Sequence, residues 1–164
     1  MKPTCFLLLF ILAAVTAAKA QTAIQMNDKL ASITDSLYSG GQRWGAQFNK
    51  SFASGNYTPL KPITDELLGY INVKTAEVQK MKDVKNSKPL RVVMLEFLVF
   101  EKKMISEGFR PFEVFDATTT KEKVQAALDN LTQKSNDENT YLKKVAAAQE
   151  TYAKENGFKI AGQQ

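Results

Sequence analysis

Histidine is absent from this chain, and cysteine occurs once, at Cys5. These two gaps remove most of the side chains that do chemistry near neutral pH. Without histidine, neither a Ser-His-Asp nor a Cys-His triad can be assembled. The usual donor set of a zinc site is missing, as are the Glu-x-x-His pairs of di-iron bundles. Neither G-x-x-x-x-G-K-[ST] nor G-x-G-x-x-G occurs, so phosphate cradles of those kinds are excluded as well. No metal and no cofactor is expected. A strong excess of one charge is also lacking. The 22 basic and 17 acidic residues give a formal net charge of +5, too weak to argue for a nucleic-acid partner.

What is present begins with an export signal over residues 1–20. Lys2 supplies the positive start, residues 6–18 form an apolar or small stretch, and Ala18-Lys19-Ala20 offers small residues for cleavage before Gln21. That stretch is shorter than the ~20 residues a spanning helix requires, so a cleaved signal is expected rather than a membrane anchor. Cys5 lies ahead of the apolar stretch, where it cannot serve as a lipid-anchored residue, and it leaves with the signal. The expected mature chain, residues 21–164, is one domain without disulfides. That lack of cysteine leans toward a bacterial envelope or secreted protein, periplasmic or at the cell surface.

Four helical patterns fill the mature chain. In the first, about residues 24–54, Met26, Leu30, Ile33, Leu37, Trp44, Phe48 and Phe52 recur at steps of three, four and seven, one face of a helix. Gly40 and Gly41 interrupt it. The simpler expectation is a kink or break there; the sharper one is a close helix contact or the wall of a pocket. The second starts at Pro59 or Pro62 and carries Ile63, Leu67, Tyr70, Ile71, Val78, Met81 and Val84. The third, 89–108, is apolar on nearly every side, which predicts a central helix ended by Gly108. The fourth, about 120–156, opens on a capping-box pair of Thr119 and Glu122 and closes at Gly157. Short connections between them predict an all-α, antiparallel up-down-up-down four-helix bundle.

Two sets of residues stand out as candidate sites. Lys74, Glu96, Glu101 and Glu138 interrupt apolar faces near mid-bundle, together with Ser135 and the glycine pair. A buried carboxylate needs a partner, so this layer either fixes helix register or binds a small polar ligand. Phe109, Phe112 and Phe115 make the connection 109–115 too apolar for a free loop. It is expected to fold over the open end of the core, with a partner-binding patch as the alternative.

Met26-Asn27-Asp28-Lys29-Leu30, soon after the cleavage site and opening a long helix, resembles the start of an uncharacterised family of bacterial surface proteins of the leptospiral type. The resemblance covers this short stretch and the overall layout. It implies an exported helical protein of the envelope, and it carries over no catalytic residues. The sequence therefore points to a non-enzymatic exported bundle that binds an envelope protein or a small polar ligand. An enzyme built on carboxylates and Lys74, and a chaperone-like bundle presenting the 109–115 aromatics, are the rival expectations. The oligomeric state is left open by the sequence.

Overall fold

The protein is described by a computed structural model over residues 22–160. The expected export signal, its expected cleavage site and Cys5 lie outside the described residues. Helix α1 spans Ala23–Ser54, α2 Leu60–Lys80, α3 Lys88–Lys103 and α4 Lys121–Asn156. A π-helical turn, Met104–Phe109, and a 3-10 turn, Arg110–Val114, extend α3. Each helix packs against the next, and α4 closes against α1. This is the expected all-α four-helix bundle. Among the described residues no helix is long and apolar enough to cross a membrane.

Local chemistry sets the helix ends. Thr22 caps α1 through a reciprocal box: its hydroxyl accepts from Gln25 N–H at 3.1 Å, and its own N–H donates to the Gln25 side chain at 3.0 Å. Gly55 ends α1 at φ 70°, a left-handed conformation that glycine adopts without a Cβ penalty. At α4 the cap is Thr120, which accepts from Lys123 N–H, and not the expected Thr119. Thr119 is occupied in the preceding turn, where its hydroxyl accepts from Asp116 N–H.

The core follows the sequence stripe. Met26, Leu30 and Ile33 of α1 are fully buried, as are Ile71 and Val78 of α2 and Met94 and Leu98 of α3. Each such side chain contributes about 1.5–3 kcal/mol on leaving water. Two expectations are corrected here. First, α1 runs unbroken through Gly40 and Gly41. The glycine pair costs roughly 2 kcal/mol of helix propensity, and packing on both sides of it, by buried Leu37 and Trp44, offsets that cost. Gly40 is a close contact: a Cβ there would fall on Leu67 Cδ2 of α2. Second, α3 is not enclosed on every side. Val92 and Val99 face solvent, and the α-helix ends at Lys103, before Gly108.

The π turn gives Gly108 its purpose. A Cβ at this position would lie 3.3 Å from Met104 Sδ and 3.4 Å from Leu131 Cδ1, so glycine lets α4 approach the turn. α4 also satisfies the turn's polar groups. Asn130 Nδ2 donates to the Glu107 carbonyl at 2.6 Å, and Lys134 pairs with the Glu107 carboxylate at 2.6 Å.

Candidate functional site

The four limbs leave a cavity of about 350 Å³ at mid-bundle. α1 lines it with Leu37, Tyr38, Gly41, Gln42 and Trp44, and α2 with Leu67. Glu101 at the end of α3, followed by Met104, Ile105 and Phe109 of the π turn, forms the third wall. Leu131, Ser135 and Glu138 of α4 form the fourth. Tyr38, Gln42 and Ser135 are exposed at the rim, whereas Leu37, Trp44, Leu67, Glu101, Met104 and Ile105 are buried at the floor.

The π turn shapes this floor. Its backbone switches from the α ladder to the wider i→i+5 pattern, so that Arg110 N–H donates to the Ile105 carbonyl. Such single turns recur at functional sites in helical proteins. Three of its residues, Met104, Ile105 and Phe109, face the cavity. Phe109 also fixes Trp44: the two rings stack at 3.9 Å and 8°, with Phe48 on Trp44 at 5.2 Å.

Three buried polar atoms lack a hydrogen-bond partner among the described residues, and two of them belong to cavity residues: Trp44 Nε1 and Glu101 Oε1. Trp44 is 3% exposed and Glu101 is 5% exposed. Burial, reinforced by the neighbouring Glu138 charge and a hydrogen bond between the two carboxyls, pushes Glu101 up to about 8. Burial also raises Glu138, while the hydrogen bond from Glu101 favours its charged form. At neutral pH burial therefore keeps Glu101 in its protonated form, beside a second carboxyl, Glu138, that burial also pushes up. Among the described residues no lysine or arginine lines the cavity. An apolar-walled space is left with a protonated Glu101, the neighbouring Glu138 carboxyl and an indole N–H that has no acceptor among the described residues.

The structure brings Glu101 and Glu138 together, and with them Ser135 and Gly41. It does not bring Lys74 or Glu96 to them. Lys74 pairs with Glu77 on its own helix at 3.0 Å and lies 5.5 Å from the Tyr70 ring centroid. Glu96 is exposed. The two glutamates of α3 stand five residues apart, a rotation of roughly 140° about the helix. Glu101 continues the buried series Leu90, Met94 and Phe97, and Glu96 does not. The enzyme arrangement that needs Lys74 beside these carboxylates is therefore not assembled.

The aromatic connection is folded inward. Phe112 is fully buried, Phe109 nearly so, and Phe115 is half-buried against Tyr57 and Phe112. The exposed apolar side chain of this connection is Val114. A partner surface made of the three phenylalanines is not available in this conformation.

Sequence reasoning placed Trp44 on the apolar face of the first helix but missed its unpartnered N–H, and it missed Tyr38, Gln42, Met104 and Ile105 as cavity residues. The glycine pair was the available signal for a pocket wall. Gly41 fits it, because a Cβ there would meet nothing within 4 Å. Among the described residues no cluster of three or more metal-ligating side chains occurs. No known protein family, no curated protein and no solved structure matches this chain.

Proposed function

We propose that this chain is an exported, non-enzymatic protein of the bacterial envelope that binds a small molecule in its mid-bundle cavity. One observation carries the binding reading: Glu101, almost fully buried and without an ion-pair partner, shares an apolar cavity with Glu138 and the unpartnered indole of Trp44. Keeping a carboxyl there opposes folding, since the ionised form must be neutralised or left uncompensated. Groups held in such perturbed states concentrate at functional sites. The cavity volume falls at the lower end of the ~300–1,000 Å³ typical of small-molecule sites, and apolar walls with a few polar groups are their usual lining.

The export signal motif supports the location, and so does the likeness of Met26–Leu30 to surface proteins of the leptospiral type. Lys74, engaged with Glu77, speaks against acid–base catalysis by a lysine–glutamate couple. Native mass spectrometry tests the reading on protein purified from its own host, wild type beside Gly41→Leu. The leucine fills the cavity at a position with free space. The wild type is expected to retain a small-molecule mass that the variant lacks. A bare wild type, or the same retained mass on both proteins, would refute binding in this cavity.

A further inference from the structure

We infer that the cavity takes an organic monocation: an apolar body carrying one protonated amine, with a hydrogen-bond acceptor close to the amine. This inference rests on the small-molecule reading above and specifies its ligand class. Among the described residues the lining contains two carboxyls and no basic side chain. Nearby lysines are committed elsewhere: Lys134 to Glu107 at 2.6 Å, and Lys102 to Asn72 at 3.0 Å. The titratable groups facing the cavity are Tyr38 from α1, Glu101 from α3 and Glu138 from α4; α2 contributes only Leu67.

An ammonium placed between Glu101 and Glu138, which line the same cavity, supplies the partner that Glu101 Oε1 lacks. Both carboxyls then ionise against a cation and receive charge-assisted hydrogen bonds. An anionic ligand would meet like charge between largely apolar walls. A neutral one would leave the pair as it is. A bare metal ion would find only two carboxyls among apolar walls, whereas hard cations take six or more oxygen ligands. The apolar body matches the floor of Leu37, Leu67, Met104 and Ile105. The acceptor answers the Trp44 N–H, the second polar group of the cavity left without a partner.

The test uses the mature protein and four probes with a six-carbon body: hexylamine, 1-aminohexan-2-ol, hexan-1-ol and hexanoate. Trp44, the single tryptophan, reports occupancy by its emission. Isothermal titration in two buffers of different ionisation enthalpy reports proton release. The amines are expected to bind about tenfold or more tighter than hexan-1-ol, with 1-aminohexan-2-ol the tightest and hexanoate not binding. Amine binding at pH 7 is expected to release about one proton. The variant Glu101→Gln/Glu138→Gln should lose the amine preference and keep the affinity for hexan-1-ol, which also shows that its cavity is intact.

Equal or tighter binding of hexan-1-ol overturns the inference. So does an amine preference that survives in the double variant, or displacement of amine by millimolar magnesium or calcium. If none of the four probes binds, the monocation class is wrong. The mass retained on host-purified protein then decides separately whether the small-molecule reading also falls.

Discussion

Replacing Glu101 by glutamine should stabilise the protein, and the gain should grow with pH. In the folded protein Glu101 ionises near 8, against an ordinary value of 4.5. Below pH 4.5 the carboxyl is protonated whether the chain is folded or unfolded, and it contributes nothing. Between 4.5 and 8 the unfolded chain releases the proton and the folded one keeps it, so stability falls as pH rises. Above 8 both states are ionised and the loss is complete. At about 1.4 kcal/mol per pH step, the full displacement corresponds to roughly 5 kcal/mol. Water entering the cavity beside the ionised pair reduces this, and we expect ~3–5 kcal/mol at pH 9. Glutamine keeps the shape and can still donate to Glu138, as the protonated acid does. Urea unfolding followed by circular dichroism at pH 5 and pH 9 measures the effect. With a urea slope of ~2 kcal/mol/M, the midpoint of Glu101→Gln should exceed that of the wild type by roughly 2 M at pH 9 and by only ~0.4 M at pH 5. Wild-type stability that is flat or rising between pH 5 and 9, or a variant with the same pH dependence, would refute the reasoning.

Other consequences are as direct. Glu138→Gln removes a neighbouring charge, so Glu101 should ionise at a lower pH than in the wild type while staying above 4.5, because burial remains; a side-chain carboxyl titration by NMR reads this. Asp65, Glu66, Glu107 and Asp116 are all held below their ordinary values, the first three chiefly by hydrogen bonds from Lys61, Arg43 and Lys134 and Asp116 by those from Thr118. Their contribution is present above the ordinary carboxylate range and is lost as pH falls below it through their lowered values, so thermal stability of the wild type should peak at about pH 5. Gly41→Ala should raise stability by roughly 0.5–1 kcal/mol, since its Cβ meets open space and alanine favours the helix. Gly40→Ala should fall below Gly41→Ala by about 1–3 kcal/mol, because its Cβ overlaps Leu67; chemical denaturation of the two variants side by side checks the contrast. Phe112→Ala should cost about 3–5 kcal/mol in the same assay, for a fully buried ring.

The fold was legible because the apolar stripes at steps of three and four repeat over four long segments, and turn residues stand between them. The breaks in that reading share a cause. Propensity alone marks Gly40-Gly41 as a break, but the contact with Leu67 exists only once α2 is packed, and no local rule sees it. Gly108 looked like a helix stop for the same reason; its role is to admit Leu131 from a segment far along the chain. Part of the site was visible as polar interruptions in apolar stripes, which singled out Glu101, Ser135 and Glu138. Glu96 and Lys74 carry the same signal, yet Glu96 settles on an exposed face and Lys74, half-buried, pairs with Glu77 away from the cavity. Separating them needs the helix rotation that packing fixes, although the series Leu90, Met94, Phe97 and Glu101 already shows the buried side of α3. The Trp44 N–H could not be found from sequence, since lacking a partner is a property of the assembled core.

The central claim is that Glu101 stays protonated beside Glu138 inside the bundle at neutral pH. A carbon-13 NMR titration of the Glu101 side-chain carboxyl in the native protein tests it most directly. The account predicts a midpoint near 8, with a matching change at Glu138. A midpoint at the ordinary glutamate value of 4.5, with no coupling between the two carboxyls, would contradict it.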